Sequence, residues 1–180
     1  MIISGPAAAG GIMQRLIQVS SAAISLSALL VVIAPATAKP FTYVNARFST
    51  VCTFPDQIFT ERMPEPENGD GLEWHSADGA SVACYGSYNA LDDTPKSLVE
   101  NEKSSLEPGE KVTFSKTGKN WAVLSGMRGD KIFYRRSVFG KEDVIHSVFI
   151  EYPAALKAKY DPLVGAIAAS LHEASGQHSK

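Results

Sequence analysis

The sequence predicts an α+β fold: an antiparallel β-sheet of about six to seven strands, with a short mid-chain helix and a C-terminal amphipathic helix packed on one face. Three observations carry this. Between residues 111 and 152, strand-like runs follow one another across short turns, which leaves no room for the crossover helices of a parallel sheet. Asp78-Gly79 separates two further strand-like runs and is a strong hairpin signal. After Pro153 the apolar residues Leu156, Tyr160, Leu163, Val164, Ile167 and Leu171 recur at steps of three and four, the period of one helix face.

Composition agrees with one ordinary globular domain. Hydrophobic residues make up 44% of the 180 and charged residues 20%, which excludes collagen-like, coiled-coil and low-complexity chains. The formal net charge of −2 lacks the basic excess of a dedicated nucleic-acid binder.

The N-terminus reads as an address. Residues 16–38 carry no charge, Arg15 precedes them, the stretch from Ile24 to Ile33 is strongly apolar, and Ala36-Thr37-Ala38 closes the segment after Pro35. A basic start, an apolar middle and a small-x-small end describe a cleavable secretory signal over 1–38, with cleavage after Ala38. The rival is an uncleaved anchor, since 16–38 is long enough to span a bilayer; Gln18, Ser20, Ser21, Ser25 and Ser27 dilute its front, and an anchor has no use for Ala-Thr-Ala. Met13-Gln14-Arg15 makes a more typical signal start than Met1. Cleavage leaves residues 39–180 as a single α+β domain without a stable membrane span, periplasmic or secreted.

Along that domain, a first strand is expected over about 45–54, ended by Pro55. Met63 to Gly71, with Pro64, Pro66, Gly69 and Gly71, is an exposed acidic loop. Leu72–Ser76 and Ala80–Asn89 form the hairpin around Asp78-Gly79. Thr94 caps a helix whose first residue is Pro95 and which Pro108-Gly109 stops. Four strands follow, over 111–115, 121–125, 131–138 and 144–152. The final helix is expected to kink near Tyr160, because Asp161-Pro162 offers a new start, and to end at Ser175-Gly176.

Several stretches carry a resemblance. Asn68-Gly69-Asp70-Gly71, Tyr85-Gly86-Ser87-Tyr88-Asn89, Trp121 to Gly126, Lys131 to Arg136, Tyr152-Pro153-Ala154-Ala155 and Tyr160-Asp161-Pro162 resemble a family of small exported proteobacterial proteins of mostly unknown function. The order of elements is similar to PsbP-like proteins, which stabilise a larger complex and are not enzymes. The resemblance implies an exported, non-enzymatic α+β protein and brings no catalytic residues with it.

Chemistry-bearing residues are few. Cys52 and Cys84 lie in strand-like runs. In an oxidising compartment the pair reads as a disulfide, closing a loop worth roughly 3–4 kcal/mol by chain entropy; the alternative is two buried thiols. His146 shares a strand face with Val144, Val148 and Ile150, where an imidazole can be a base, a ligand or a packed core group. His75 with Asp78 could orient a nucleophile such as Ser76 or Ser81, but no Gly-x-Ser-x-Gly elbow exists. Asn68, Asp70 and Gly71 match part of a calcium loop, but Pro66 and Ala77 occupy two liganding positions. No metal site and no cofactor are expected. Arg128, Lys131, Arg135 and Arg136, with Lys111, Lys116 and Lys119 nearby, could meet an anionic partner (a phosphate, a lipid surface or an acidic protein) if they share a face. The expected function is a non-enzymatic binding or accessory module for an envelope protein or small ligand, using the sheet face that helices leave open. The competing expectation is a small hydrolase or metal-assisted enzyme using His146 or His75.

Overall fold

The computed structural model describes residues 40–175. The signal segment 1–38, its cleavage after Ala38 and the choice between Met1 and Met13 lie outside them. In chain order the described elements are β1 (Pro40–Val44), β2 (Thr50–Pro55), β3 (Glu61–Arg62), β4 (Gly71–His75), β5 (Ser81–Tyr88), α1 (Pro95–Ser104), β6 (Glu110–Thr117), β7 (Trp121–Arg128), β8 (Lys131–Phe139), β9 (Val144–Pro153), a 3-10 turn (Ala154–Leu156), α2 (Lys157–Ser170) and β10 (His172–Glu173). Two antiparallel sheets result: seven strands ordered β3-β4-β5-β9-β8-β7-β6, and three ordered β1-β2-β10. The predicted α+β class and the antiparallel sheet hold.

Cross-strand partners share a face, so the register sorts the large sheet into two surfaces. On the inner face one row runs Trp74, Val82, Ile150, Tyr134, Ser125, Phe114, and the next runs Leu72, Cys84, Val148, Arg136, Val123, Lys116. At the β4–β5–β9 end this face is sealed by Cys52 and Phe54 of β2 and by Tyr160, Val164 and Ile167 of α2. The Cys52–Cys84 disulfide ties the two sheets together, with a Cα–Cα separation of 6.1 Å. The outer face packs Ala122, Leu124 and Phe133 under Val99 of α1. The C-terminal helix therefore covers one face, and the mid-chain helix serves the other.

The cap on α1 forms as the residues dictate. Thr94 Oγ1 accepts from the Ser97 N–H, Ser97 Oγ accepts from the Thr94 N–H, and Pro95 supplies a first residue that has no N–H to satisfy.

Three local expectations are corrected. The strand expected over 45–54 is the second arm of a hairpin. Its turn contains no glycine: Asn45 Oδ1 accepts from the Phe48 N–H and Ser49 takes φ 55°, so the usual turn signal is missing. The helix runs unbroken through Pro162, steadied by Asp161, which accepts from Tyr152 and Lys157. It stops at Ser170, short of Ser175-Gly176. Leu171 is buried, and the chain then pairs with the edge of β2 through His172↔Val51 and Glu173↔Thr50. The helical period had already ended at Leu171; beyond it, β2 offers backbone partners.

Candidate functional site

His146 lies on the inner face of β9 and is fully buried. Its Nδ1 is 2.7 Å from Thr50 Oγ1 of β2, while its Nε2 has no hydrogen-bond partner and lies 3.9 Å from Glu173 Oε2. Glycines make the space: a Cβ on Gly140 would fall 2.4 Å from Nε2, and one on Gly86, directly opposite His146, would strike Phe48 and Thr50. Burial holds the imidazole below its usual pKa, and Glu173 opposes this only in part. A polar cleft of about 360 Å³ opens beside it, between Arg47, Ser49, Lys141 and Glu173.

His75 is elsewhere. It faces outward on β4, with Nε2 3.0 Å from Glu73 Oε1. It stands opposite Ser81 on β5 while His146 stands opposite Gly86, so about 17 Å of strand and the thickness of the sheet separate the two imidazoles. Asp78 turns away from both. It accepts from Ser76, Lys159 and the buried Tyr160 hydroxyl, and these bonds, Lys159 first, hold its carboxyl well below the usual carboxylate range. The geometry makes Asp78 a clamp between the β4–β5 turn and α2. The His75–Asp78 pair that the spacing allowed does not form. Among the described residues, no group of three or more His, Cys, Asp or Glu is placed to hold a metal ion.

The four basic residues divide between faces. On the outer face, Arg128 binds Glu110 and lies 3.2 Å from Glu151, Lys131 reaches Glu151 at 2.9 Å, and Arg135 binds Glu102. Arg136 points to the inner face, its guanidinium 5.1 Å from the centre of the Trp121 ring. The structure thus couples three of these cations to carboxylates and sets the fourth apart.

A concavity larger than the cleft beside His146 carries no sequence signal as a whole. It is a groove of about 550 Å³ between β1–β2 and β3–β4, walled by Phe41, Tyr43, Phe54, Phe59, Leu72 and Trp74, with Asp56, Thr60 and Arg62 at its mouth. Trp74 is the hub: ring centroids lie 4.7 Å away for Phe54, 5.0 Å for Tyr43 and 5.9 Å for Phe41. Phe41 keeps 38% of its surface exposed. Phe41 and Tyr43 alternate with Thr42 on β1, the one available signal, and the glycine-free turn hid that strand. A groove of this volume and aromatic content suits an apolar small molecule, with a few polar groups to orient it.

No family model matches the chain, and no curated protein matches it. Among solved structures, the chain is similar to the solution structure of cyanobacterial PsbP (CyanoP) from Synechocystis sp. PCC 6803, with a TM-score of 0.55 and 8% sequence identity over 76% of this chain and 94% of that one. The fold is PsbP-like.

Proposed function

We propose that this is an exported, non-enzymatic binding module, periplasmic or secreted, whose ligand site is the aromatic groove. One observation carries the reading: the groove is larger than the cleft beside His146 and is walled by aromatic rings, while His146, His75 and Asp78 are dispersed over separate places. The buried Cys52–Cys84 disulfide supports an oxidising compartment, and the signal-like 1–38 segment supplies the route there. Among the described residues no helix is long and apolar enough to cross a membrane. The likeness of several stretches to small exported proteobacterial proteins, and the accessory role known for PsbP-like proteins, agree with this reading.

The test is a titration with neutral N-phenyl-1-naphthylamine, following tryptophan emission in a Trp121→Phe background so that Trp74 reports. Saturable quenching is expected, weakened at least several-fold by Phe41→Ala. A folded protein that shows no saturable quenching would refute the groove as the site. N-terminal sequencing of the exported form is expected to begin at Lys39.

A further inference from the structure

A β-bulge moves one aromatic side chain onto a surface of unpaired cations. Along β6, Val112 pairs with Gly126, but Phe114 then pairs with Ser125, so one extra residue sits in the strand. A bulge reverses which face the following side chains occupy. Phe114 therefore joins Lys111 and Lys116 on the inner face, where regular alternation would have placed it on the outer face beneath α1. It remains 52% exposed.

Among the described residues, neither helix packs on the inner face of β6 and β7. α2 packs on β2, β8 and β9, and α1 packs on β6 and β7 from the outer side. The inner rows of β6, β7 and β8 contain Lys111, Lys116 and Arg136 and no carboxylate, and Lys119 stands at the β6–β7 hairpin tip. The side chains of Lys111, Lys116 and Lys119 make no ion pair or hydrogen bond. Arg136 covers Trp121, and its Nε is buried without a partner.

We infer that this surface docks on an anionic lipid bilayer, with the lysines against headgroup phosphates and Phe114 at the acyl boundary. The surface is a sheet face on which Lys111, Phe114 and Lys116 are all exposed. Its outermost cations are lysines, point charges on flexible stems that suit diffuse, mobile phosphates better than the fixed carboxylates of a folded partner. Its most exposed aromatic lies between two of those lysines, the arrangement that lets an apolar side chain enter an interface while cations hold the headgroups. Trp121 is half-buried against Arg136 and is not offered as an anchor for a protein pocket. This inference does not depend on the aromatic groove.

The test is co-sedimentation of residues 39–180 with vesicles of phosphatidylcholine alone or mixed with phosphatidylglycerol. Binding is expected only to the mixed vesicles, and it should fall steeply with salt. The triple variant Lys111→Glu, Lys116→Glu, Lys119→Glu should bind at least ten-fold more weakly. Phe114→Ser should weaken binding several-fold with its salt dependence retained, and Lys96→Glu, on the exposed side of α1, should leave it unchanged. Each variant's fold is checked by circular dichroism. Equal binding to both vesicle types, or full binding by the folded triple variant, overturns the inference. So does complete competition by soluble polyglutamate together with no effect of Phe114→Ser, which would point to an acidic protein as the partner.

Discussion

The two halves of the large sheet share one antiparallel ladder, yet they differ in what lies on their inner face. At the β4–β5–β9 end the inner face is closed by β2, α2 and a disulfide. Its polar groups there are drawn into defined bonds, as with Tyr160, Asp78 and Ser76. At the β6–β7 end the same face carries Lys111, Phe114 and Lys116, and neither described helix packs over it. Strand pattern alone does not distinguish a half that is a core from a half that is a surface. What distinguishes them is the chain that comes back across, and here that is β2, set by the turn at Asn45–Ser49, and α2.

The largest expected effect tests whether the closed half depends on its staple. Replacing Cys52 and Cys84 by Ala releases a loop of 32 residues and should cost about 3–4 kcal/mol. Urea denaturation with and without reductant measures it, and reductant should leave the variant unchanged. An effect below 1 kcal/mol would mean that packing of α2 and β2 closes this half unaided. Tyr160→Phe is the next in size. The hydroxyl donates to Asp78 and lies 3.0 Å from Ser76 Oγ at a fully buried position, so its loss should cost about 1–2 kcal/mol in the same assay.

How far the sequence revealed this follows the same division. The large sheet was legible because its connections are short and its turns carry Asp-Gly, Gly-Lys or Gly-Asp. α1 was legible through Thr94-Pro95, and the facing of His146 with Val148 and Ile150 through simple alternation. The aromatic groove was not, because it joins Phe41 to Trp74 across two sheets whose packing no local pattern encodes, and because Asn45 and Ser49 make their turn by a side-chain acceptor and a left-handed serine. The sorting of the basic residues needed the register. Arg135 and Arg136 are neighbours in sequence and face opposite ways, and Phe114 depends on a bulge that has no sequence mark.

His146 lets pH probe the closed half. Burial lowers its pKa in the folded state, so the unfolded chain takes up a proton near pH 6.5 that the native protein does not. Stability should therefore be flat above about pH 7 and fall as pH drops below 6.5, by up to about 1.4 kcal/mol per unit from this group, until the folded-state pKa is reached. Acidic groups facing the ring modulate the slope; Glu173 at 3.9 Å is the nearest. Urea midpoints at pH 7.5, 6.5 and 5.5 give the slope. His146→Asn, which can still meet Thr50, should flatten it. An unchanged slope in the variant would assign the pH dependence to another group.

The smallest expected effect compares the same substitution in the two halves. Lys159 binds Asp78 beside the closed half, and Lys159→Gln should cost about 0.5–1 kcal/mol, as partly exposed ion pairs do. Lys116 has no partner and shares its inner-face row with Arg136, so Lys116→Gln removes only repulsion between like charges. It should leave stability unchanged or raise it by a few tenths of a kcal/mol, the more so at low salt. Matched thermal melts of the two variants at low and high ionic strength separate the cases. If Lys116→Gln destabilised the protein as much as Lys159→Gln, the lysine would be anchoring structure, and the open half would be a surface held for stability and not for contact.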